Sequence, residues 1–485
     1  MRLEKQFRLY VNSIIAFALL LTGCGEQKAT EAESTKVAGD HAESGPTTVS
    51  YDSIPGDRPN VVFIFADDLG WGDLACYGHP YAKTPNLDLL ASQGTRFERF
   101  YVTGVTCSPS RTGIMTSQHP ASFHKYPDPY GFADKTTVTD ILHKEGYTNG
   151  HFGKWHIGSK LSKNQVQKGT YGIDEIQIIR KNDESPEGRD VDVFNEAIRF
   201  IQHHANRPFY VNIWTHISHH AVDPPRALVE QIEPFDMDRE DFGVHMQEKF
   251  NHVERLGGNL KVSMSNYLAD IYSLDLQVGK LMQQIEALGL SENTLVIFSS
   301  DHGPSKVFNK KYDPDLVGSN SGVNTRHNMM GYSGGLRGEK HDQYEGGIRT
   351  PFIVRWPNRI PAGKVNGASI VSGLDYLPTL CALLRIDIHE ADFQGENMSD
   401  VWLGMDRARK SPLFWKTSDQ KSPVSMLAGK WKIHEIKDTD DHVLYDLSKD
   451  EFELEDVSAA NPEVVKQMAS DINTWKKTLP KEYIK

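Results

Sequence analysis

The chain has 485 residues, 38% of them hydrophobic and 24% charged, with a formal net charge of -12. This is the profile of a globular protein with room for one large core and a subdomain, and its acidity argues against non-specific nucleic-acid binding. An anionic ligand would have to be met by a local basic pocket, because the overall field repels it.

At the N-terminus, Arg2, Lys5 and Arg8 flank the apolar run IIAFALLL, which leads into Leu21-Thr22-Gly23-Cys24. A positive flank, a short apolar stretch and small residues before a cut point read as an export signal; the run is short for a membrane span. LTGC looks like a bacterial lipobox, which implies removal of residues 1–23, lipidation of Cys24 and anchoring at the cell envelope. Residues 24–57 are rich in Ala, Glu, Ser, Thr and Gly and nearly devoid of large apolar side chains, so they are expected to form a tether. Folding is expected from Arg58 onward.

NVVFIFADD, residues 60–68, is a nearly all-apolar run and predicts a buried parallel strand. TPNLDLLASQG predicts a helix capped by Thr84, with Pro85 in its first turn and Gly94 as its stop. Alternation follows: TTVTDILHKEG as helix, YTNGHFGKW as strand, VDVFNEAIRFIQHHA as helix and PFYVNIWTH as strand. A long amphipathic helix over 262–289 leads into the strand TLVIFSSDHG, and PFIVRWP and the helix DYLPTLCALL end the series. The pattern predicts an α/β domain over 58–385, a large, mainly parallel sheet sandwiched by helices. From residue 386, GKWKIHEI and HVLYDL read as hairpin strands and Pro462–Trp475 as a terminal helix, giving a smaller α+β subdomain over 386–485.

Three strand ends carry reactive side chains: Asp67-Asp68, Lys154 with His156, and Asp301-His302. Ligands of open α/β sheets collect at the carboxyl ends of strands. Adjacent aspartates repel unless a cation neutralises them, which points to a hard divalent metal. Cys107, in TCSPSRTGIMTSQ, has no Cys or His close enough in sequence for a zinc pair, and four cysteines make no disulfide framework.

TCSPSRTGIMTSQ resembles the C-x-P-S-R signature of the formylglycine-dependent sulfatases of the alkaline phosphatase superfamily. FADDLGWGD, GKWHIGS, SSDHGP and LRGEKHDQYEGGIRTP resemble that family's other motifs in the same order, and LYDLSKDEFELEDV also looks family-like. The resemblance implies an alkaline-phosphatase-like fold and oxidation of Cys107 to formylglycine by a maturation enzyme. It implies a metal, calcium as first choice, held by Asp67, Asp68, Asp301, His302 and the modified Cys107. Many members have Asn where this chain has His302, and an imidazole suits a transition metal better.

The chemistry explains the residue types. A hydrated formylglycine offers a gem-diol: one hydroxyl attacks sulfur, and the second lets the sulfate ester be expelled by collapse to the aldehyde, which serine cannot do. By the same resemblance Arg111, one helical turn from Cys107, stabilises the alkoxide, Lys154 and Lys340 bind sulfate oxygens, and His156 takes a proton during collapse. If extended, the segment puts Lys154 and His156 on one face. The leaving-group acid falls in ISHHAVDPP, where alignment on the final proline selects His219 and leaves His220 and then His216 open.

The implied function is hydrolysis of sulfate monoesters on a sulfated carbohydrate, algal polysaccharide or glycosaminoglycan, by an exported lipid-anchored enzyme. A phosphate or phosphonate monoester hydrolase is the enzymatic rival. A non-catalytic glycan-binding lipoprotein, its Cys107 unconverted, is the rival from another class. Cys76 and Cys381 read as reduced and buried, Gly346-Gly347 as backbone geometry, and His203-His204 as a helix face. The segment 305–336, with Lys306, Lys310, Lys311 and Arg326, and the stretch around His124 and Lys125 read either as cleft-lining loops or as solvated surface.

Overall fold

The apolar runs lie at the centre of an eight-stranded sheet. The strands are β1 (Asn60–Ala66), β2 (Thr95–Phe97), β3 (Phe100–Tyr101), β4 (Thr148–Gly153), β5 (Glu175–Gln177), β6 (Phe209–Trp214) and β7 (Thr294–Ser300). They continue with β8 (Phe352–Arg355), β9 (Lys364–Asn366), β10 (Val371–Ser372), β11 (Leu413–Lys416), β12 (Val424–Ala428), β13 (Trp431–Glu435) and β14 (His442–Asp446). The main sheet runs β5-β4-β6-β1-β7-β8-β2-β9. From β5 to β7 every pair is parallel, whereas β8 is antiparallel to both β7 and β2. This computed structural model describes residues 58–124, 131–132, 134–157, 168–179, 185–232, 236–307, 317–320, 322–389, 392–417 and 421–481. The expected export signal, Cys24 and its tether, Lys125, Lys310 and Lys311 lie outside the described residues.

The helices are α1 (Pro85–Ser92), α2 (Cys107–Thr116), α3 (Val138–Lys144), α4 (Val191–His204), α5 (Arg226–Ile232) and α6 (Val244–Arg255). They continue with α7 (Leu260–Ala287), α8 (Glu345–Ile348), α9 (Tyr376–Leu383), α10 (Ser399–Trp402) and α11 (Pro462–Lys476). Along β1, Val61, Phe63 and Phe65 join the core shared with α3 and α9, while Val62, Ile64 and Ala66 join the core shared with α4 and α7. A strand buried on both faces has no polar side to show, which is why its sequence reads as a continuous apolar run. Among the described residues, no helix is long and apolar enough to cross a membrane.

Caps account for several helix starts. Thr137 and Asp140 close a capping box on α3, and Asn259 accepts from Val262 N–H at the start of α7. Thr84 does not cap α1. Its hydroxyl is engaged by Asp88 and by the Ala75 N–H, and Asp275 of α7 accepts the N–H groups of Asn86 and Leu87 at 2.9 and 2.8 Å. A carboxylate distant in sequence does the capping.

β11 to β14 form a separate antiparallel sheet, backed by α11, with Trp475 stacked on Phe414 at 4.7 Å between ring centres. Buried charge joins this sheet to the catalytic half. Lys432 Nζ lies 2.8 Å from Glu345 and 3.1 Å from Glu453, and His434 Nε2 lies 2.9 Å from Glu453. Burial raises the Glu453 pKa, but Lys432, His434 and the Glu345 N–H outweigh burial and hold it below its ordinary 4.5. A depressed folded-state pKa contributes stability above the unfolded value and loses it as pH falls through the folded one. Glu453→Gln should therefore cost about 3 kcal/mol near neutrality by leaving Lys432 undercompensated, and should flatten the loss of thermal stability below about pH 4.5. Melting curves of both proteins across that range check it.

Candidate active site

Strand register assembles the site. Ala66 of β1 pairs in parallel with Ser300 of β7, so Asp67 and Asp301 leave neighbouring strands at the same level. Gly153 of β4 pairs with Trp214 of β6, which delivers Lys154 to the same rim, its N–H donating to the Trp214 carbonyl at 2.8 Å. α2 begins at Cys107, and Thr106 supplies no side-chain cap, so the helix N-terminus presents backbone N–H groups toward the cluster. The five predicted ligands Asp67, Asp68, Cys107, Asp301 and His302 are all buried, with ligand atoms within 4.8 Å of one another.

Cys107 Sγ lies 3.3 Å from Asp67 Oδ1, 3.2 Å from His302 Nε2 and 3.5 Å from Lys340 Nζ. His302 Nδ1 meets the Gly303 carbonyl at 2.9 Å, which makes Nδ1 the N–H donor and leaves the Nε2 lone pair facing the carboxylates. Arg111 is fully buried. Its Nε donates to Asp301 at 2.9 Å, Nη2 lies 3.7 Å from Asp67, and its guanidinium lies 5.2 and 4.9 Å from the Phe65 and Trp214 rings. Lys154 pairs with Asp67, and Lys340 Nζ donates to Asp68 at 2.7 and 3.0 Å.

Three carboxylates thus face three permanent cations. Burial opposes the Asp67 charge, but Lys154, His219, Arg111 and Lys340 outweigh it and hold the carboxyl well below the usual range. Burial opposes the Asp68 charge too, with Asp67 adding to it, while the adjacent His302 ring and Lys340 bring its pKa down. Burial and then the Asp67 charge push the Cys107 thiol far up, so as a thiol it stays protonated and a poor nucleophile. The fit to a divalent cation follows from the donors: three carboxylates, one imidazole lone pair and the position-107 side chain converge, and three basic side chains stand opposite the carboxylates. An added dication would leave a net positive site, complementary to an anionic ester.

Not every expectation about geometry holds. The condition under which Lys154 and His156 would share a face, an extended segment, is not met, because His156 turns into the left-handed region at φ 48. Lys154 points inward to Asp67, while His156 keeps solvent access and is pulled down to about 4 by burial and the Lys154 charge, so it is neutral near pH 7. Asp68 (φ 63) and His341 (φ 80) also occupy that region beside the cluster, the kind of backbone strain that collects at functional sites. Close backbone packing explains two glycines: a Cβ on Gly303 would sit 1.8 Å from Gly346 O, and one on Gly347 would sit 2.3 Å from Asp342 O.

The three candidate histidines part company. His216 is held by Asp190 at 2.7 Å, and His220 lies 3.2 Å from Thr325. His219 Nδ1 meets the His220 carbonyl at 2.8 Å, and of the three rings it is the one that bears on both Asp67 and Asp68. Its segment is tied to the turn that carries Asp67 and Asp68, with Ser218 N–H donating to the Asp67 carbonyl and Ser218 Oγ to the Asp68 carbonyl. Arg189, which the sequence left unremarked, is buried against Asp270 and donates to the His219 carbonyl at 2.8 Å. No local pattern announces it; only an Arg-Asp pair just before α4 could have drawn notice. Arg189→Lys cannot span both acceptors, and we expect it to lower kcat about ten-fold at a stability cost near 1 kcal/mol; steady-state kinetics and a melting curve check both.

The other expectations resolve simply. Cys107, Cys76 and Cys381 are free thiols, Cys381 buried and Cys76 half-buried. His204 meets Glu175 at the end of α4, and Lys306 pairs with Asp342 at 2.8 Å. His124 is exposed.

Acid-lined strand ends, a convergent cluster that could hold a cation and two lysines define a class, a hydrolase of anionic esters on an α/β sheet. The chain belongs to the sulfatase family: residues 59–386 match the family Sulfatase, and residues 338–478 match the family N-sulphoglucosamine sulphohydrolase, C-terminal. It is a sulfuric ester hydrolase. It is 31% identical to human arylsulfatase A, covering 84% of this chain and 86% of that protein. It is 27% identical to an N-acetylgalactosamine-6-O-sulfatase of Bacteroides thetaiotaomicron, covering 94% and 97%. The fold is similar to that of Ps i-CgsB in complex with a k-i-k-neocarrahexaose, with a TM-score of 0.69, 22% identity, and 88% and 95% covered.

Proposed function

We propose that this chain removes sulfate from a sulfated carbohydrate, using Cys107 after its oxidation to formylglycine by a maturation enzyme and a divalent metal, calcium, held by Asp67, Asp68, Asp301, His302 and residue 107. The observation that carries the reading is the convergence of those five side chains within 4.8 Å, with Lys154 and Lys340 reaching into the same cluster. Formylglycine supplies a hydrated aldehyde as nucleophile, and the metal supplies positive charge that lowers a hydroxyl pKa. Lys154 and Lys340 turn from their aspartates to the sulfate oxygens. Arg111, fixed by Asp301, holds positive charge beside residue 107. Neutral His156 takes a proton from the second hydroxyl as the sulfate ester is expelled by collapse to the aldehyde, and His219 gives one to the leaving alcohol. The carbohydrate substrate class is supported by the N-acetylgalactosamine-6-O-sulfatase relative.

The same proposal includes export after cleavage of residues 1–23, a lipid on Cys24, a tether over 24–57, a catalytic domain over 58–385 and a subdomain over 386–485. It rests on the LTGC sequence and on composition. Loss of membrane association in Cys24→Ser, judged by fractionation of the native host, checks the anchor.

Paired assays on aryl sulfate, aryl phosphate and aryl phosphonate esters test the reaction. We expect preference for sulfate; a preference for phosphorus would favour the phosphate or phosphonate reading. Mass spectrometry of the tryptic peptide Phe100–Arg111 from the native host should find sulfur lost from residue 107. Chelation should abolish turnover, and calcium should restore it better than zinc or manganese.

A further inference from the structure

A cavity of about 790 Å³ lies beside the catalytic cluster, walled in part by Met246, Glu248 and Lys249 of α6, by Lys306, by Glu339 and Asp342, and by Leu454. Its link to the site already described is the segment 337–342, which walls the cavity through Arg337, Gly338, Glu339 and Asp342 and carries Lys340. Glu339 and Asp342 bracket Lys340, whose side chain meets Asp68 and Cys107. The Lys340 N–H donates to the Pro304 carbonyl at 2.9 Å, two residues before Lys306. None of these wall residues has a part in the reaction above.

The charges of the wall select the ligand. Lys249 pairs with Glu339 at 2.5 Å and Lys306 with Asp342 at 2.8 Å, so both lysines are already answered by carboxylates. The wall's other two cations, Arg255 and Arg337, are matched in number by Glu248 and Glu453, so a second sulfate would meet no excess of positive charge. Paired lysines and carboxylates do, however, set donors beside acceptors, the combination that hydroxyl groups need. Apolar surface lies next to them: Leu454 is 61% exposed and Phe452, two residues earlier, is 37% exposed. A polar volume of several hundred Å³ with a local apolar face fits a sugar ring, whose hydroxyls surround its C–H faces.

We propose that this cavity is a subsite for an unsulfated sugar ring of the same glycan that carries the scissile sulfate. The proposal rests on the sulfatase reading, and the experiment separates the two. Wild type, Glu248→Ala and Leu454→Ala, both exposed positions chosen to spare the fold, are assayed on 4-nitrophenyl sulfate. They are then assayed on chondroitin sulfate and carrageenan oligosaccharides of two, four and six sugars. We expect kcat/KM on the hydrolysed series to rise about ten-fold with length, the worth of one or two hydrogen bonds. The two variants should erase that rise through KM and leave the aryl sulfate rate unchanged. A length dependence that survives both variants, its absence from wild type, no turnover of any oligosaccharide, or equal loss on the aryl ester would each overturn the subsite. Failure to hydrolyse the aryl sulfate in wild type of confirmed formylglycine content would instead overturn the sulfatase reading beneath it.

Discussion

Cys107→Ala should reduce turnover by at least about 10⁴-fold, the scale on which removing a covalent nucleophile acts, and should leave the fold in place. The side chain is 3% exposed and sits at the start of α2, so the change removes one sulfur from a buried wall and costs about 1 kcal/mol. The charges that surround it do not depend on it: Arg111 stays with Asp301, Lys154 with Asp67 and Lys340 with Asp68. Circular dichroism and a melting curve should match wild type within that small loss, while aryl sulfate hydrolysis disappears. Full activity in this variant would sink the nucleophile assignment. Cys107→Ser is the sharper companion, since a hydroxyl can attack once but has no second hydroxyl to expel the ester. It should release one alcohol per site and then stop.

Asp301→Asn should combine inactivation with instability, and Asp68→Asn should separate them. Asp301 accepts the buried Arg111 guanidinium, and neither side chain has solvent access. Neutralising it leaves a buried cation with only the more distant Asp67, at 3.7 Å, and breaking a buried pair from one side costs about 3–5 kcal/mol. Asp68 pairs instead with Lys340, whose side chain is 12% exposed and can turn toward water, so its loss should cost about 1 kcal/mol. Both substitutions remove a carboxylate from the cation-binding cluster and should abolish turnover. Equal melting temperatures for the two variants would show that Arg111 does not depend on Asp301.

What the sequence disclosed follows the range of the interactions involved. The central strands were legible because burial on both faces writes an uninterrupted apolar run, and their ends located Asp67, Asp68 and Asp301. Arg111 was legible because four residues along a helix return to the same face as Cys107. Lys340 came from motif resemblance alone; its approach to Asp68 spans 272 residues. Arg189 and Asp275 escaped for the same reason, since each acts on a partner remote in the chain. β2, β3, β5 and β9 are only two or three residues long, too short for any period to register. The turn at His156 lies beyond what spacing can read, because two-residue alternation holds only while the backbone stays extended.

The stretch from Arg337 to Glu345 carries Lys340 into the catalytic cluster, yet its moorings belong to the other half of the protein. Arg337 donates to the Glu453 carbonyl at 2.9 Å and to the Tyr445 hydroxyl at 3.1 Å, and Glu345 takes its counter-charge from Lys432. The boundary between the two parts therefore cannot serve as a line of excision. A fragment ending near residue 385 would retain the five ordered motifs and still lack the anchorage that aims Lys340, one of the two lysines proposed to bind sulfate. Recombination among relatives should meet the same constraint: a C-terminal segment from another lineage would be tolerated only if it brought equivalents of Lys432, Tyr445 and Glu453.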